Sequence, residues 1–227
     1  MTDISEQHPH GGEWLREIVF GMNDGLVTTL VFIMAVSSVA TTHLVLIAMG
    51  EVVAGGISMA LGGYLSSRTE QDILDHRIAT EREEIRSEPD EEREELRAIY
   101  HRKGLQDALV DRVVEDLTKD EGQWLRSMVH DELGVVEGSR SSPWVEGILI
   151  GGSFMLGGIA PVLPLLLSLP HPQILAFVFT ALMAIALGTL KSRYSLKTPA
   201  RNSVEFLAII ALGTLAGVVV GHFLHAL

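Results

Sequence analysis

The sequence predicts an all-α integral membrane protein, with five transmembrane helices and a cytoplasmic helical domain inserted between spans two and three. Three observations lead there. Five apolar runs are each long enough to cross roughly 30 Å of hydrocarbon as a helix. A polar stretch from about Arg68 to Arg140 separates the second run from the third and is too charged to enter a bilayer. Lysine and arginine gather on one side of the resulting topology.

The first run, Ile18 to Val39, is apolar apart from Asn23, Asp24 and a few hydroxyls, and Trp14 and Arg16 stand at its entrance as interfacial anchors do. An uncharged link, Ser37 to His43, leads to the second run, Leu44 to Leu65, which carries Glu51 and Met59. Nothing from Ser66 to Arg86 breaks a helix, so this span is expected to continue into the polar region. The insert then reads as amphipathic helices over about Ser67 to Arg86, Asp90 to Lys103, Leu105 to Thr118 and Asp120 to Leu133, with Gly104 and Gly122 as stops. Ser139 to Pro143 is a linker, and Trp144 marks the return to the membrane.

The third span, Val145 to Leu169, contains Pro161 and Pro164, which free backbone carbonyls and bend a helix. The fourth covers Gln173 to Leu190 and the fifth Val204 to Leu224. On the fifth, Gly213, Gly217 and Gly221 recur every four residues and give a smooth face for close helix contact. The expected division is therefore 1–16 as an N-terminal segment, 17–66 as spans one and two, 67–142 as the insert, and 143–227 as spans three to five.

The N-terminus, the insert and the link Lys191 to Arg201 fall on one side, while the links Ser37 to His43 and Leu169 to Pro172 hold no Lys or Arg. The positive-inside bias puts the insert in the cytoplasm and the C-terminus, with His222 and His225 as end-of-helix residues, across the membrane. The chain has 227 residues, a formal charge of -12 and no cysteine. That charge argues against nucleic acid as a partner, and the missing thiols exclude disulfides and thiolate metal sites. No cleavable signal is visible at the N-terminus, which is polar and lacks a basic segment before a short apolar core.

Between Glu70 and Glu95 twelve acids stand against four arginines, an excess that repels itself unless water, salt or a bound cation offsets it. Glu81 and Glu84 are three residues apart, as are Glu92 and Glu95, so each pair shares a helix face. Pro89 lies between the pairs, and a helical hairpin there brings four carboxylates together. Met128 and Glu132, four apart, can add a thioether and a further carboxylate. Such a set suits a hard to borderline divalent ion such as Mn²⁺ or Fe²⁺, which makes the insert a candidate metal-binding domain. The alternative is a solvated acidic helix pair.

Asp24 and Glu51 lie inside apolar runs, where a charged side chain costs at least about 2.5 kcal/mol without a partner or water. The first two spans run antiparallel, so Asp24 is expected to face the second span near Met59, with Glu51 deeper. Carboxylates in such a place hold either a divalent ion or a proton, and that competition is the chemistry of an ion/proton exchanger. The alternatives are that Asp24 caps a helix broken at Asn23-Asp24-Gly25, and that Met59 only packs or faces lipid.

Phe20-Gly21-Met22-Asn23-Asp24-Gly25-Leu26-Val27-Thr28 resembles the first-span signature of the vacuolar iron transporter family. Gly56-Ile57-Ser58-Met59-Ala60-Leu61-Gly62 resembles its second-span motif, and Gly151-Gly152-Ser153-Phe154 through Pro161 and Pro164 its third. The likeness runs from Trp14 onward and includes the insert. It implies a homodimer of five-span protomers that moves Fe²⁺, and often Mn²⁺, out of the cytoplasm in exchange for protons. Carried over position by position, it implies capture by Glu81, Glu84, Glu92, Glu95, Met128 and Glu132, and a membrane path through Asp24, Glu51 and Met59. Two positions depart from the family pattern: Gly63 stands where many members have glutamate, and Val129 follows Met128 where some have a second methionine.

The leading reading is export of Fe²⁺, with Mn²⁺ beside it, by proton-coupled antiport. Fe²⁺ or Mn²⁺ is then the bound substrate, protons and the lipid bilayer are the other partners, and no organic cofactor or enzyme activity is expected. No Walker-type phosphate loop appears, so ATP is not an evident energy source. A membrane-anchored metal sensor or buffer is one alternative. A di-iron carboxylate oxidase is another, although no histidine has a glutamate three positions before it. The membrane expected is a bacterial plasma membrane, with a vacuolar or other organelle membrane as the alternative.

Overall fold

The computed structural model describes residues 13–37, 43–135 and 141–225. The N-terminal residues 1–12, the links at 38–42 and 136–140, residues 226–227, and the side chains of Glu13, Leu224 and His225 lie outside that description. Regular structure among the described residues is all helix: α1 (Glu13–Val36), α2 (Leu44–Ser87), α3 (Pro89–Arg102), α4 (Asp107–Leu117), α5 (Glu121–Asp131), α6 (Pro143–Leu166), α7 (Pro172–Ser192) and α8 (Pro199–His225). Five of them, α1, α2, α6, α7 and α8, are long and apolar enough to cross a membrane. Two compact units result, divided at Ser66/Ser67 and at Ser142/Pro143.

Proline sets where several helices begin. Pro89, Pro143, Pro172 and Pro199 each occupy the first helical position, where a missing N–H does no harm and φ is already helical. The third, fourth and fifth spans therefore start before the residues at which their apolar runs begin. At the other end, α3 stops at Gly104, whose φ of +88° suits glycine alone. Gly122 is not a stop. It lies in the first turn of α5, which Asp120 begins by accepting a hydrogen bond from the Gln123 N–H at 2.8 Å. The stop after α5 is Gly134, at φ +68°.

In the unit of spans, glycine decides how closely helices approach. A Cβ on Gly25 would stand 2.0 Å from the Phe154 carbonyl oxygen, and one on Gly21 2.2 Å from that of Ile150, so α1 and α6 run with backbones in contact. The Asn23-Asp24-Gly25 stretch is thus continuous helix inside α1, and Asp24 does not cap a break. Gly151 and Gly147 of α6 meet Gly56 and Ala60 of α2 in the same way. The row Gly213, Gly217, Gly221 on α8 fits against Val27, Val31 and Ala35 of α1, so its close helix contact is made within this chain. Leu26, Leu30, Ala184, Leu187, Phe206 and Ile210 close one core, and Ile33, Ala48, Val52, Val162 and Leu165 another.

The insert unit has its own core. Ile85, Leu96, Ile99, Val110, Val114, Trp124, Leu125 and Met128 pack together from α2 to α5. Each such side chain contributes about 1.5–3 kcal/mol on burial. Lys103 and His130 tie the ends of α3 and α5 to the shielded Asp131 carboxylate, with contacts of 2.5 and 2.8 Å.

Candidate metal centre

The last turns of α2 present Glu81 and Glu84, α3 presents Glu92 and Glu95, and the residue that ends α5 is Glu132. Pro89 allows the reversal from α2 to α3 that turns the first two pairs toward each other. Glu81 and Glu92 are only 5% and 6% exposed, Glu84 is half-buried, and Glu95 and Glu132 are at the surface.

These five carboxyls lie within electrostatic reach of one another. Burial, then the charges of Glu132, Glu92 and Glu84, push the Glu81 carboxyl up to about 8. Burial also raises Glu92, partly offset by a hydrogen bond from protonated Glu81, while Glu95, Glu84 and Glu132 push it further up. Glu132 is raised by burial and by Glu95. Glu81 Oε1 and Glu92 Oε2 are buried with no hydrogen-bond partner among the described residues, while the Glu81 carboxyl as a whole interacts with those of Glu92 and Glu132. Among the described residues no three Asp, Glu or His side chains are drawn in tightly enough to hold an ion as they stand. Met128 is fully enclosed in the apolar core of the insert, beside Ile85, Leu96 and Trp124, so the structure places it with packing residues.

In the spans, Thr28 Oγ1 donates to Asp24 Oδ1 at 3.3 Å, and Thr29 Oγ1 donates to Glu51 Oε2 at 2.8 Å. Asp24 and Glu51 are near enough for their charges to act on each other, so α1 and α2 bring the two acids into one region. Met59, half-buried, lies eight residues further along α2 than Glu51. Asn23 Oδ1 is buried with no hydrogen-bond partner beside them.

The VIT family model matches residues 15–222. The chain belongs to the VIT family. It is similar to Vacuolar iron transporter 1 of Oryza sativa subsp. japonica, 33% identical over 215 residues that cover 93% of this chain and 85% of the relative. Vacuolar iron transporter 1 of Arabidopsis thaliana is 32% identical over 217 residues, covering 93% and 86%. Vacuolar iron transporter of Plasmodium berghei (strain Anka) is 26% identical over 226 residues, covering 94% and 82%.

This VIT family member is thus a multi-pass membrane protein of a metal-transport family. Its glycine at position 63 has a structural setting of its own. A Cβ there would meet Ile150 Cδ1 at 2.9 Å and Gly147 Cα at 3.2 Å, so a side chain at this position requires the end of Ile150 to move and α6 to give slightly. Thr28, Thr29 and Asn23 escape a reading based on charge, because hydroxyls in membrane helices commonly bond their own backbone. Two adjacent threonines one turn after a membrane acid are the signal that was available.

Proposed function

We propose that this VIT family protein exports Fe²⁺, and Mn²⁺ as well, from the cytoplasm in exchange for protons. Glu81, Glu84, Glu92, Glu95 and Glu132 of a cytoplasmic insert collect the ion, and Asp24, Glu51 and Met59 form its path through the bilayer. The observation that carries the reading is the grouping of Asp24 and Glu51, two acids held by α1 and α2 where hydrocarbon surrounds the helices. A packed membrane anchor has no use for such a pair, whereas an exchanger needs groups that accept a cation in one step and a proton in the next. Protons released on one side and taken up on the other then supply the driving force without a nucleotide.

Uptake of Fe²⁺ and Mn²⁺ into proteoliposomes under an imposed proton gradient tests this. Wild-type protein should accumulate metal only with the gradient, and Asp24→Ala should abolish it. Protein that binds several ions yet moves neither metal would instead be a membrane-anchored sensor or buffer.

A further inference from the structure

The hydroxyls inside the spans do not behave alike. Thr180 donates to the Ala176 carbonyl at 2.7 Å, Thr214 to that of Ile210 at 2.8 Å, and Thr189 to that of Ala186 at 2.7 Å. Each satisfies itself on its own helix, as membrane hydroxyls usually do. Thr28 turns instead to the side chain of Asp24. Thr29 alone among the described span threonines reaches a different helix, and its partner is the Glu51 carboxylate.

The surroundings leave Thr29 little choice of partner. It is fully buried. A Cβ on Gly158 of α6 would come within 2.8 Å of Thr29 Oγ1 and 2.9 Å of Val52, so glycine at that position makes room for the hydroxyl between α6 and α2. Of the two rotamers open to a helical threonine, the one present turns Oγ1 away from its own backbone and toward Glu51. On the other side of the carboxylate, Glu51 Oε1 lies toward Gly55, where the edge of the Phe154 ring stands in place of a side chain. One oxygen of Glu51 is therefore tied by a donor, and the other is not.

We propose that Thr29 is the positioning residue for Glu51: by donating to Oε2 it fixes the carboxylate so that Oε1 is the oxygen presented to a divalent cation in the path. The inference rests on the transport reading and adds to it a residue with no charge. Without the hydroxyl, Glu51 keeps its charge but loses its orientation, and the ion must order the carboxylate each time it binds. A hydrogen bond to a charged group of this kind corresponds to roughly tenfold in binding.

The test is the initial rate of Mn²⁺ uptake into proteoliposomes across a range of metal concentrations, for wild type, Thr29→Val and Thr29→Ser, with melting of each protein in detergent recorded alongside. Thr29→Val keeps the shape and removes the donor; Thr29→Ser keeps the donor. The expected result is a KM about tenfold higher in Thr29→Val with kcat changed less than about twofold, and a KM in Thr29→Ser within about twofold of wild type. An unchanged KM in Thr29→Val would overturn the proposal, as would equal impairment of both variants tracking a loss of thermal stability. Wild-type protein that moves no Mn²⁺ or Fe²⁺ would overturn the transport reading, and this inference with it.

Discussion

Glu81 on α2 and Glu92 on α3 face each other as buried carboxyls, each with an oxygen that has no hydrogen-bond partner among the described residues. Burial and then the charges of Glu132, Glu92 and Glu84 favour the protonated form of Glu81.

The first prediction is a pH dependence with a definite sign. Glu81 holds its proton more tightly folded, at about 8, than unfolded, at 4.5. The stability it contributes is therefore complete below pH 4.5 and is lost as pH rises through about 8. Hydrogen exchange in the intact, chelator-treated protein should show the amides of Leu96 and Ile99 less protected at pH 8 than at pH 5, after correction for intrinsic rates. Equal protection at both would mean that Glu81 is not held protonated in the folded insert.

Adding Mn²⁺ at pH 8 should restore that protection and release protons into weak buffer, because a cation and the proton on Glu81 compete for the same carboxyl. In Glu92→Gln, affinity for Mn²⁺ should fall on the order of tenfold or more, while the metal-free insert becomes less sensitive to pH. Titration calorimetry in two buffers of different ionisation enthalpy reads both effects. An unchanged proton count on binding would contradict them.

Packing gives a third prediction. Gly25→Ala places a Cβ against the Phe154 carbonyl and should cost about 1–3 kcal/mol. Gly152→Ala, on the same helix as Phe154 but facing open space, should leave the melting temperature nearly unchanged. The two variants compared by thermal melting in detergent decide whether backbone contact or helix propensity governs these sites.

The Asp131 carboxylate gives a fourth. Burial alone would raise its pKa, but hydrogen bonds from Lys103, His130 and Tyr100 outweigh that and hold it below the ordinary value. Asp131→Asn should lower insert stability by about 1–3 kcal/mol near neutral pH. The difference should shrink in strong acid, where wild-type Asp131 is itself protonated. Hydrogen exchange at α3 and α5 amides measures it.

Much of this was legible in the residues. Pro89 and the spacing of Glu81, Glu84, Glu92 and Glu95 carry the hairpin, and the absence of a breaker after Leu65 carries the continuity of α2. Span starts were less legible, because hydropathy marks where lipid begins, while Pro143, Pro172 and Pro199 mark where the helix begins. Gly122 misled for a similar reason: a glycine beside a good N-cap such as Asp120 sits at a helix start, and only its φ tells it from a stop. Met128 shares a face with Glu132 by spacing, yet spacing does not say how deep a face is buried. The Thr29 contact with Glu51 joins residues on two helices, so the paired threonines after Asp24 can flag a polar role but not name the partner.

Pro161 and Pro164 lie within α6 without bringing it to an end. Lacking N–H groups, they leave the carbonyls of Gly157 and Ala160 without their helical donors. Gly157 packs on Met22, two residues before Asp24. A peptide oxygen takes up no proton at any physiological pH, so its polarity is constant. Against the stretch of α1 that holds Asp24, α6 thus supplies a fixed polarity that a change of pH leaves unaltered.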